Sequence, residues 1–414
     1  MAELIRHSRA VSPYFYPNKG GDPSNLHGIT DIGGGASVDS TEEFVVGKRD
    51  KCGTDVSLPS SSVPITQNER GEIATYLTLA NLDAEPGGGI ELDDFSSALI
   101  DVAIYERDSF NGTIEKTTWF PKTAIASLSL NIADPESKIE RSFELQGDNE
   151  LNLQYDNKIL IHKEFVAGTG DAGTGGFVLD CSDPIPEADP NRSGKFILRV
   201  DRTRSGETTT LDEDAGDFSY DSGTQDITIE DETEIGDVIN VYYSSDSFGG
   251  PGDPTTVDSA DPCFLKATNV TVLLSDGITE IELDTLTSLT IDATINRADE
   301  GVIGKDEKVV REISDTPVTV SLSGRIKRAT IAEAFMGQLG NNWGITDVKR
   351  FLSNVRVTVK IYSDVDKTNF LLGYQVDDLA FNDDSFDYTA NDFGTLDTTA
   401  SSSSLLITAV EGNL

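Results

Sequence analysis

The chain has 414 residues, enough for two or three domains, and a formal net charge of −40 from 72 acidic and 32 basic side chains. This excess of carboxylates argues against wrapping nucleic acid or adsorbing to an anionic membrane, because both need a surplus of Lys and Arg. With 37% hydrophobic residues the chain can still bury a core, and no apolar run approaches the roughly 18 residues that span a bilayer.

The acidic surplus also predicts self-repulsion of the folded chain at low salt. At molar salt the Debye length falls to about 3 Å, and most of this repulsion is screened. The composition therefore favours a halophilic source, with an acidic protein from ordinary salt as the alternative. The N-terminal residues lack the apolar core of a secretory signal, so we expect synthesis in the host cytoplasm.

Residues 1–35 predict an extended N-terminal arm. They carry Tyr14, Phe15 and Tyr16, followed by a run rich in Gly and Asn. Such an arm either lies on its own domain or clasps a neighbouring molecule.

Residues 36–150 predict a first β-module, because apolar and polar side chains alternate with the period of a strand. Residues 98–105 predict a strong strand, and the alternation runs through 124–132 and 138–145, with a phase slip near Ala126. Residues 151–264 predict an inserted β-module, which ends in a linker rich in Ser, Gly and Pro. Its predicted strands lie at 158–166, 195–200, 218–220, 226–229 and 238–243.

Residues 265–414 predict a second β-module with a C-terminal tail. Its centre is a long hairpin, whose arms at 281–296 and 316–326 alternate strictly. Thr330 and Glu333 form a capping box that predicts a helix over 330–339. Further strands are predicted at 355–362, 370–376 and 386–389.

The loop between the hairpin arms, residues 297–315, is far longer than a turn requires and carries many charges. Long ordered loops in compact domains are uncommon and are often functional. We hypothesise that this loop docks onto another copy of the chain in a stacked ring. The predicted contact residues are Asp299, Glu300, Lys305, Asp306, Glu307 and Lys308, together with Lys48 from a matching loop in the first module.

The two larger modules resemble each other, which indicates an internal duplication. Phe44-Val-Val-Gly-Lys48 matches Gly301-Val-Ile-Gly-Lys305, and at the same spacing 98–105 falls on 355–362. Ser142-Phe-Glu-Leu145 also matches Ser385-Phe-Asp-Tyr388. Two similar modules in one chain can occupy two equivalent places in a ring.

The second module carries Leu289-Thr-Ile-Asp-Ala-Thr-Ile-Asn-Arg297, the charged loop, Val318-Thr-Val-Ser-Leu-Ser-Gly324, the predicted helix and Val357-Thr-Val-Lys-Ile-Tyr362. This order of elements resembles the tail tube (major tail) proteins of tailed phages and tailed archaeal viruses, best over 265–395 and more faintly over 36–150. The resemblance implies a β-sandwich or half-barrel that adds strands to a continuous ring, and a long loop that contacts the next ring. It also implies a trimeric, pseudo-sixfold ring, a middle module on the outside, and an acidic lumen that viral DNA passes without specific binding.

No motif predicts catalysis, a cofactor or a metal site. The three histidines and three cysteines lack metal-ligand spacing and any nucleophile motif. Gly168-x-Gly-x-x-Gly173 matches the dinucleotide fingerprint only as a string, because loop and strand residues follow it where a helix is needed. The acidic residues Asp383, Asp384 and Asp387, like those at 212–217, are interpreted as solvated turns, with weak cation binding left open.

The sequence thus predicts an all-β chain with one or two short helices, built as a duplicated β-sandwich or half-barrel with an inserted β-module. Its predicted role is structural and not enzymatic: stacked rings that form a viral tail tube in the virion. Expected partners are further copies of the chain and the tape measure, terminator and baseplate proteins, with no cofactor and no membrane insertion. The alternatives are a single-ring tail hub or terminator and a cell-surface, adhesin-like β-protein. An enzyme such as a polysaccharide hydrolase has no sequence feature in its favour.

Overall fold

The structure is a computed structural model of the chain. It describes residues 11–17, 24, 26, 28–37, 40–43, 53–56, 60–95, 98–107, 113–147, 151–153, 158–171, 173, 177–182, 185–189, 194–205, 207–246, 264–275, 280–301, 308–325, 355–387 and 395–414. The predicted helix over 330–339 lies outside these residues.

The fold is all β and built from antiparallel sheets, as the alternation of side chains predicts. We divide the strands among repeat 1 (β1–β11), a middle module (β12–β18) and repeat 2 (β19–β28). The strands of repeat 1 are β1 (Val11–Pro17), β2 (Ile29–Ile32), β3 (Gly35–Ser37), β4 (Ser40–Glu43), β5 (Gly53–Val56), β6 (Ser60–Asn68), β7 (Ile90–Glu91), β8 (Ile100–Arg107), β9 (Ile114–Ile132), β10 (Glu140–Gly147) and β11 (Leu151–Leu153).

The strands of the middle module are β12 (Ile159–Val166), β13 (Phe177–Asp180), β14 (Ile197–Arg204), β15 (Glu207–Leu211), β16 (Phe218–Asp221), β17 (Asp226–Ile229) and β18 (Val238–Ser245). Those of repeat 2 are β19 (Val270–Ser275), β20 (Glu280–Glu282), β21 (Leu286–Thr294), β22 (Asn296–Gly301), β23 (Lys308–Asp315), β24 (Val318–Arg325), β25 (Val355–Tyr362), β26 (Phe370–Asp387), β27 (Thr395–Ser402) and β28 (Leu406–Thr408).

Repeat 1 is a two-layer structure whose layers share the long strand β9. The first half of β9 pairs with β8, which pairs on its other side with β1. The second half of β9 pairs with β10, which pairs with β6, and β6 pairs with β2 and β3. Core side chains such as Phe15, Ile65, Ile104 and Phe143 lie in one continuous apolar cluster because each strand presents alternate residues inward.

Repeat 2 has the same strand pairing in the same chain order. The long strand β26 pairs first with β25, which pairs with β19, and then with β27, which pairs with β24 and through it with β21. The ribbon β4–β5 of repeat 1 has its counterpart in the ribbon β22–β23 of repeat 2. The short strands β11 and β28 likewise pair with the same part of β9 and β26.

The match between the repeats extends to their irregularities. In β8–β9 the register shifts at Ile100 and Arg107, and in β25–β26 it shifts at Val355 and Tyr362. The pairing of β9 with β10 passes over Ala126, where the sequence shows a phase slip. The pairing of β26 with β27 passes over a residue at the equivalent place, between Phe381 and Asp383. Bulges are specific features of a fold, so these shared positions fix which residues of the two repeats are equivalent.

One equivalent pair also shares a hydrogen bond. Thr30 lies at a register shift between β2 and β6, and its hydroxyl donates to the carbonyl of Thr66 at 3.2 Å. Thr287 lies at the corresponding shift between β21 and β24, and its hydroxyl donates to the carbonyl of Ser323 at 3.2 Å. The same hydrogen bond from a threonine hydroxyl at the register shift therefore occurs in both repeats.

Repeat 1 contains the helix α1 (Ala74–Ala80), at a position that no sequence motif predicted. Its buried face holds Tyr76, Leu79 and Ala80, spaced as one side of a helix requires. The helix ends at Asn81, which adopts a left-handed conformation with φ 54°, a position that Asn tolerates better than most residues. No acidic residue lies in its first turn and no basic residue in its last, so packing stabilises this short helix.

The middle module consists of a four-stranded sheet (β12–β18–β14–β15) and a three-stranded sheet (β13–β17–β16). A second apolar cluster fills it, with Ile161, Leu179, Val200 and Val241 among its members. This cluster also includes side chains of repeat 1, which are described below.

Candidate assembly surfaces

The two repeats are joined edge to edge at an internal seam, formed by the second half of β9 and by β21. Six residue pairs define it, from Leu289 opposite Ile132 to Thr294 opposite Ser127. Just beyond the strand, the amide of Ile295 donates to the carbonyl of Ala126 at 2.8 Å. A single sheet therefore runs through both repeats in the order β2/β3–β6–β10–β9–β21–β24–β27–β26.

The internal seam has one apolar and one polar face. Leu289, Ile291 and Ala293 of β21 are buried opposite Ile132, Leu130 and Leu128 of β9, which are buried as well. Burying a Leu or Ile side chain contributes about 1.5–3 kcal/mol. On the other face, the hydroxyl of Ser129 donates to the carboxylate of Asp292 at 2.5 Å.

The C-terminal strand makes a second contact between the repeats. Leu406 and Ile407 of β28 pair with β7 of repeat 1. The carboxylate of Glu85 accepts hydrogen bonds from the hydroxyl of Thr408 and, at 3.1 Å, from the amide of Ala409.

A buried polar network ties the repeats together in the core. The guanidinium of Arg141 donates to Glu69 at 3.2 Å and to Thr75 at 2.7 Å, and Glu69 also accepts from the hydroxyl of Tyr374 at 2.8 Å. Arg141 and Glu69 are fully buried. Burial raises the pKa of Tyr76, which hydrogen-bonds to Tyr374, to about 12, so its hydroxyl stays protonated.

In the part of the chain that the structure describes, the continuous sheet ends at two strand edges. One is formed by β2 and β3, which pair with β6. The other is the second half of β26, which pairs with β27. By the shared pairing pattern these edges are the counterparts of β21 and of the second half of β9, the two strands that meet at the internal seam.

The predicted charged loop is an antiparallel ribbon, β22–β23. Six residue pairs form it, with Asp299 opposite Arg311, Glu300 opposite Val310 and Gly301 opposite Lys308. At about 3.4 Å per residue its arms extend roughly 20 Å. At its base, the guanidinium of Arg297 donates to the carbonyl of Phe95 at 2.8 Å, which fixes the ribbon to repeat 1.

The structure places the predicted contact residues only in part. Asp299 and Glu300 lie on β22 and Lys308 begins β23. Lys48, Lys305, Asp306 and Glu307 lie outside the described residues.

One interpretation from the sequence is wrong. Asp383, Asp384 and Asp387 were expected in a solvated turn, but they belong to β26. The alternation is hidden there because aspartate is a poor strand former and the bulge after Phe381 shifts the phase.

The middle module packs on an aromatic face of repeat 1. Tyr14, Tyr16, Tyr105 and Trp119 are buried in the same cluster as the side chains of the module. The ring of Trp119 lies 5.1 Å from that of Tyr242, and the hydroxyls of Tyr16 and Tyr105 share a 2.5 Å hydrogen bond. The counterparts in repeat 2 are Leu273, Ser275, Lys360 and Gln375, so only one repeat can bind the module in this way.

His162 lies in this interface. Its Nε2 hydrogen-bonds Asn240 at 2.7 Å, and its ring stacks on Tyr242 with centroids 4.4 Å apart. In the part of the chain that the structure describes, no group of three or more His, Cys, Asp or Glu side chains is placed to hold a metal ion. No helix in that part is both long and apolar enough to cross a membrane.

No family model matches the chain, and no curated protein matches it. Among solved structures, it is similar to the tube terminating cap of the anti-feeding prophage, determined by cryo-EM. The identity is 13% and the TM-score 0.26, over 37% of this chain and 97% of the cap chain. A TM-score of this size does not establish a shared fold.

Proposed function

We propose that the chain is a structural, non-enzymatic subunit of a viral tail, and that its copies close into rings that stack into a tail tube. The observation that carries the proposal is the internal seam. One chain already joins two equivalent repeats edge to edge, and the counterparts of the two joined strands lie at the ends of its sheet.

Exposed strand edges recruit further strands, and a closed ring removes them. A head-to-tail interface relates each chain to the next by the same rotation. A ring therefore closes when a whole number of these rotations makes a full turn. We propose three chains to a ring, which gives six repeats in a pseudo-sixfold arrangement.

The ribbons supply the contact between rings in this proposal. β22–β23 is a two-stranded projection with charged residues in both arms and in the segment 302–307 between them. Ion pairs of this kind contribute about 0–1 kcal/mol each when exposed, so stacking relies on many ribbons acting together around a ring. We place Lys305, Asp306, Glu307 and Lys308 in this contact, with Lys48 from the segment between β4 and β5.

Within such a tail the ring would contact tape measure, terminator and baseplate proteins. The net charge of −40 suits a lumen that viral DNA passes without being held. The charge also suits a halophilic host, in which molar salt screens the repulsion between subunits.

Negative-stain electron microscopy of the purified chain at low salt and in molar KCl tests the proposal. We expect tubes with a regular axial repeat and three subunits per ring, favoured in molar KCl. Isolated rings that never stack would instead support a tail hub or terminator. Monomers in both buffers would refute ring assembly and favour a cell-surface, adhesin-like module.

A further inference from the structure

We propose that the polar face of the continuous sheet lines the lumen and is the surface past which duplex DNA moves. This inference rests on the proposed tube, and it assigns the side of the chain and the residues that face the lumen. We call the polar face the side of β6, β10, the second half of β9, β21, β24 and β27 that points away from the core.

Two rows of side chains cross the polar face from strand to strand, because residues directly opposite each other in a pairing point to the same side. The first row is Thr66, Ser142, Ser129, Asp292, Thr319 and Ser401. The second row is Glu140, Asn131, Thr290, Ser321 and Thr399. All of them are exposed or half-buried, whereas Leu130, Ile291 and Val320, which lie between the two rows, are buried. The polar face therefore runs unbroken through both repeats.

The other side of repeat 1 is covered by its second layer and by the middle module. In β8, Val102 and Ile104 belong to the core, whereas Ala103 and Tyr105 belong to the cluster of the middle module. The layer of β8 thus lies between the core and the module. The polar face and the module are on opposite sides of the repeat.

The dimensions of a ring favour the polar face as its inner side. The sheet from β2/β3 to β26 has eight strand positions. With about 4.8 Å between strands, three chains give a circumference of roughly 115 Å and a lumen of roughly 35 Å between backbones. A module of the size of 159–245 has a radius of gyration of about 12 Å, so three modules directed inward would leave no channel.

The strand pairing between the repeats agrees with this orientation. The inner of two concentric layers has the shorter circumference, so its strands can pair without a gap while those of the outer layer spread apart. In the layer with the polar face, the long strands β9 and β21 pair directly. In the second layer, the only strand pairing between the repeats among the described residues is that of the short strands β28 and β7.

The polar face has the chemistry of a surface that does not hold DNA. Binding to the phosphate backbone depends on Lys and Arg, and neither row contains a basic residue. Most of the side chains carry a hydroxyl group, which water can hydrogen-bond, and Asp292 and Glu140 add scattered negative charge that repels phosphate.

Thiol labelling of assembled tubes tests the orientation. We use a background of Cys52→Ser and Cys263→Ser, which keeps the buried Cys181. The test variant Thr399→Cys places a thiol at an exposed position of the polar face, and the control Thr224→Cys places one at an exposed turn of the middle module. The two reagents are fluorescein maleimide and a maleimide coupled to serum albumin, a globular protein too wide for the lumen.

In tubes, Thr399→Cys should react with fluorescein maleimide and lose its reaction with the albumin reagent. Thr224→Cys should react with both, and dissociated chains of both variants should react with both. If Thr399→Cys does not assemble, Thr294→Cys samples another exposed position on the same face.

Lysine variants test the chemistry of the polar face. Ser321→Lys adds a positive charge between Thr290 and Thr399, which are uncharged, and Thr224→Lys adds one to the module. Tubes are sedimented with a short fluorescent DNA duplex at the lowest KCl concentration at which they persist. Tubes of Ser321→Lys should retain the duplex, since many lysines then surround it, and tubes of the unaltered chain and of Thr224→Lys should release it.

The outcomes separate the orientation from the tube. Reaction of Thr399→Cys with the albumin reagent in intact tubes, or its protection from both reagents, would overturn the orientation and leave the tube intact. Equal retention of the duplex by the two lysine variants would also overturn it, and retention by unaltered tubes would overturn the proposed chemistry. If the unaltered chain forms no tubes at either salt concentration, the proposed function fails and this inference with it.

Discussion

The hydroxyl of Tyr374 in repeat 2 donates a 2.8 Å hydrogen bond to the carboxylate of Glu69 in repeat 1. Glu69 also accepts from Arg141 and, at 2.8 Å and 2.7 Å, from the amides of Arg70 and Gly71. Every partner of this buried carboxylate is thus supplied by the fold, and one of them comes from the other repeat. The network makes the position of one repeat depend on the other.

We expect Tyr374→Phe to lower the free energy of unfolding by about 1.5–3 kcal/mol, because it removes a buried hydrogen bond to a charged group. Tyr362→Phe, the same substitution on the neighbouring strand, should change it by less than about 0.5 kcal/mol. Urea unfolding of both variants measures the difference. Equal effects would show that Tyr374 contributes only its ring.

Glu69→Gln should be more severe, at about 3–5 kcal/mol, because it leaves the guanidinium of Arg141 buried without a counter-charge. The double variant Glu69→Gln, Arg141→Met should recover part of this loss, since it removes the unpaired charge. A double variant that is less stable than Glu69→Gln alone would contradict this account of the network.

The middle module should depend on Trp119. Trp119→Ala removes a fully buried ring and should cost about 3–5 kcal/mol. Its counterpart in repeat 2 is Gln375, which donates to Asp377 at 2.7 Å, and Gln375→Ala should cost only about 1 kcal/mol. Hydrogen exchange should show faster opening of β12 and β18 in the first variant and no change there in the second.

Acid should weaken the middle module through Asp237. The hydrogen bonds from Arg204, at 2.9 Å and 2.7 Å, hold the pKa of the Asp237 carboxyl below its usual value of 3.8. A depressed folded-state pKa contributes stability that is fully present above the unfolded value and is lost as pH falls through the folded one. Between pH 6 and pH 3, Asp237→Asn should therefore lose less stability than the unaltered chain.

The ribbon should be needed for stacking and not for ring closure. Replacing residues 299–311 with Asn-Gly joins Ala298 to Glu312, an opposed pair, through a two-residue turn that suits a hairpin. We expect rings without tubes in the microscope. The same replacement of residues 43–53 in the β4–β5 ribbon tests whether repeat 1 contributes to stacking. If each of the two variants forms tubes of normal length, the ribbons have no role in stacking.

Much of the strand pattern could be predicted from the sequence, because alternation marks half-buried strands such as β10 and β24, and a mostly apolar run marks the buried strand β8. The alignment of the repeats was less accurate. The sequence match placed Ala98 on Val355, but the registers make Ile100 its counterpart. A slip of two residues keeps every side chain on its face, so alternation alone cannot detect it. The match of Ser142 to Ser385 is also wrong. Ser142 lies on β10, whose counterpart in repeat 2 is β27, whereas Ser385 lies on β26.

Other features left no signal in the sequence. The Glu69–Arg141 network joins residues of different strands and a helix, and charged residues are too common in this chain for any pair to stand out. The edge at Gly33–Gly35 was assigned to an N-terminal arm because glycine carries no alternation. Its place in a sheet becomes visible only when its counterpart in repeat 2, Thr290–Asp292, is identified through the shared bulges.

The fusion of two repeats in one chain has a consequence for how assembly depends on concentration. Half of the edge-to-edge junctions in any ring are made within a chain, where the effective concentration is fixed by the linkage and dilution cannot break them. A ring of six repeats then needs only three molecules to meet, and every closed ring must contain an even number of repeats. The covalent link therefore excludes every ring with an odd number of repeats, whatever the interface between the chains.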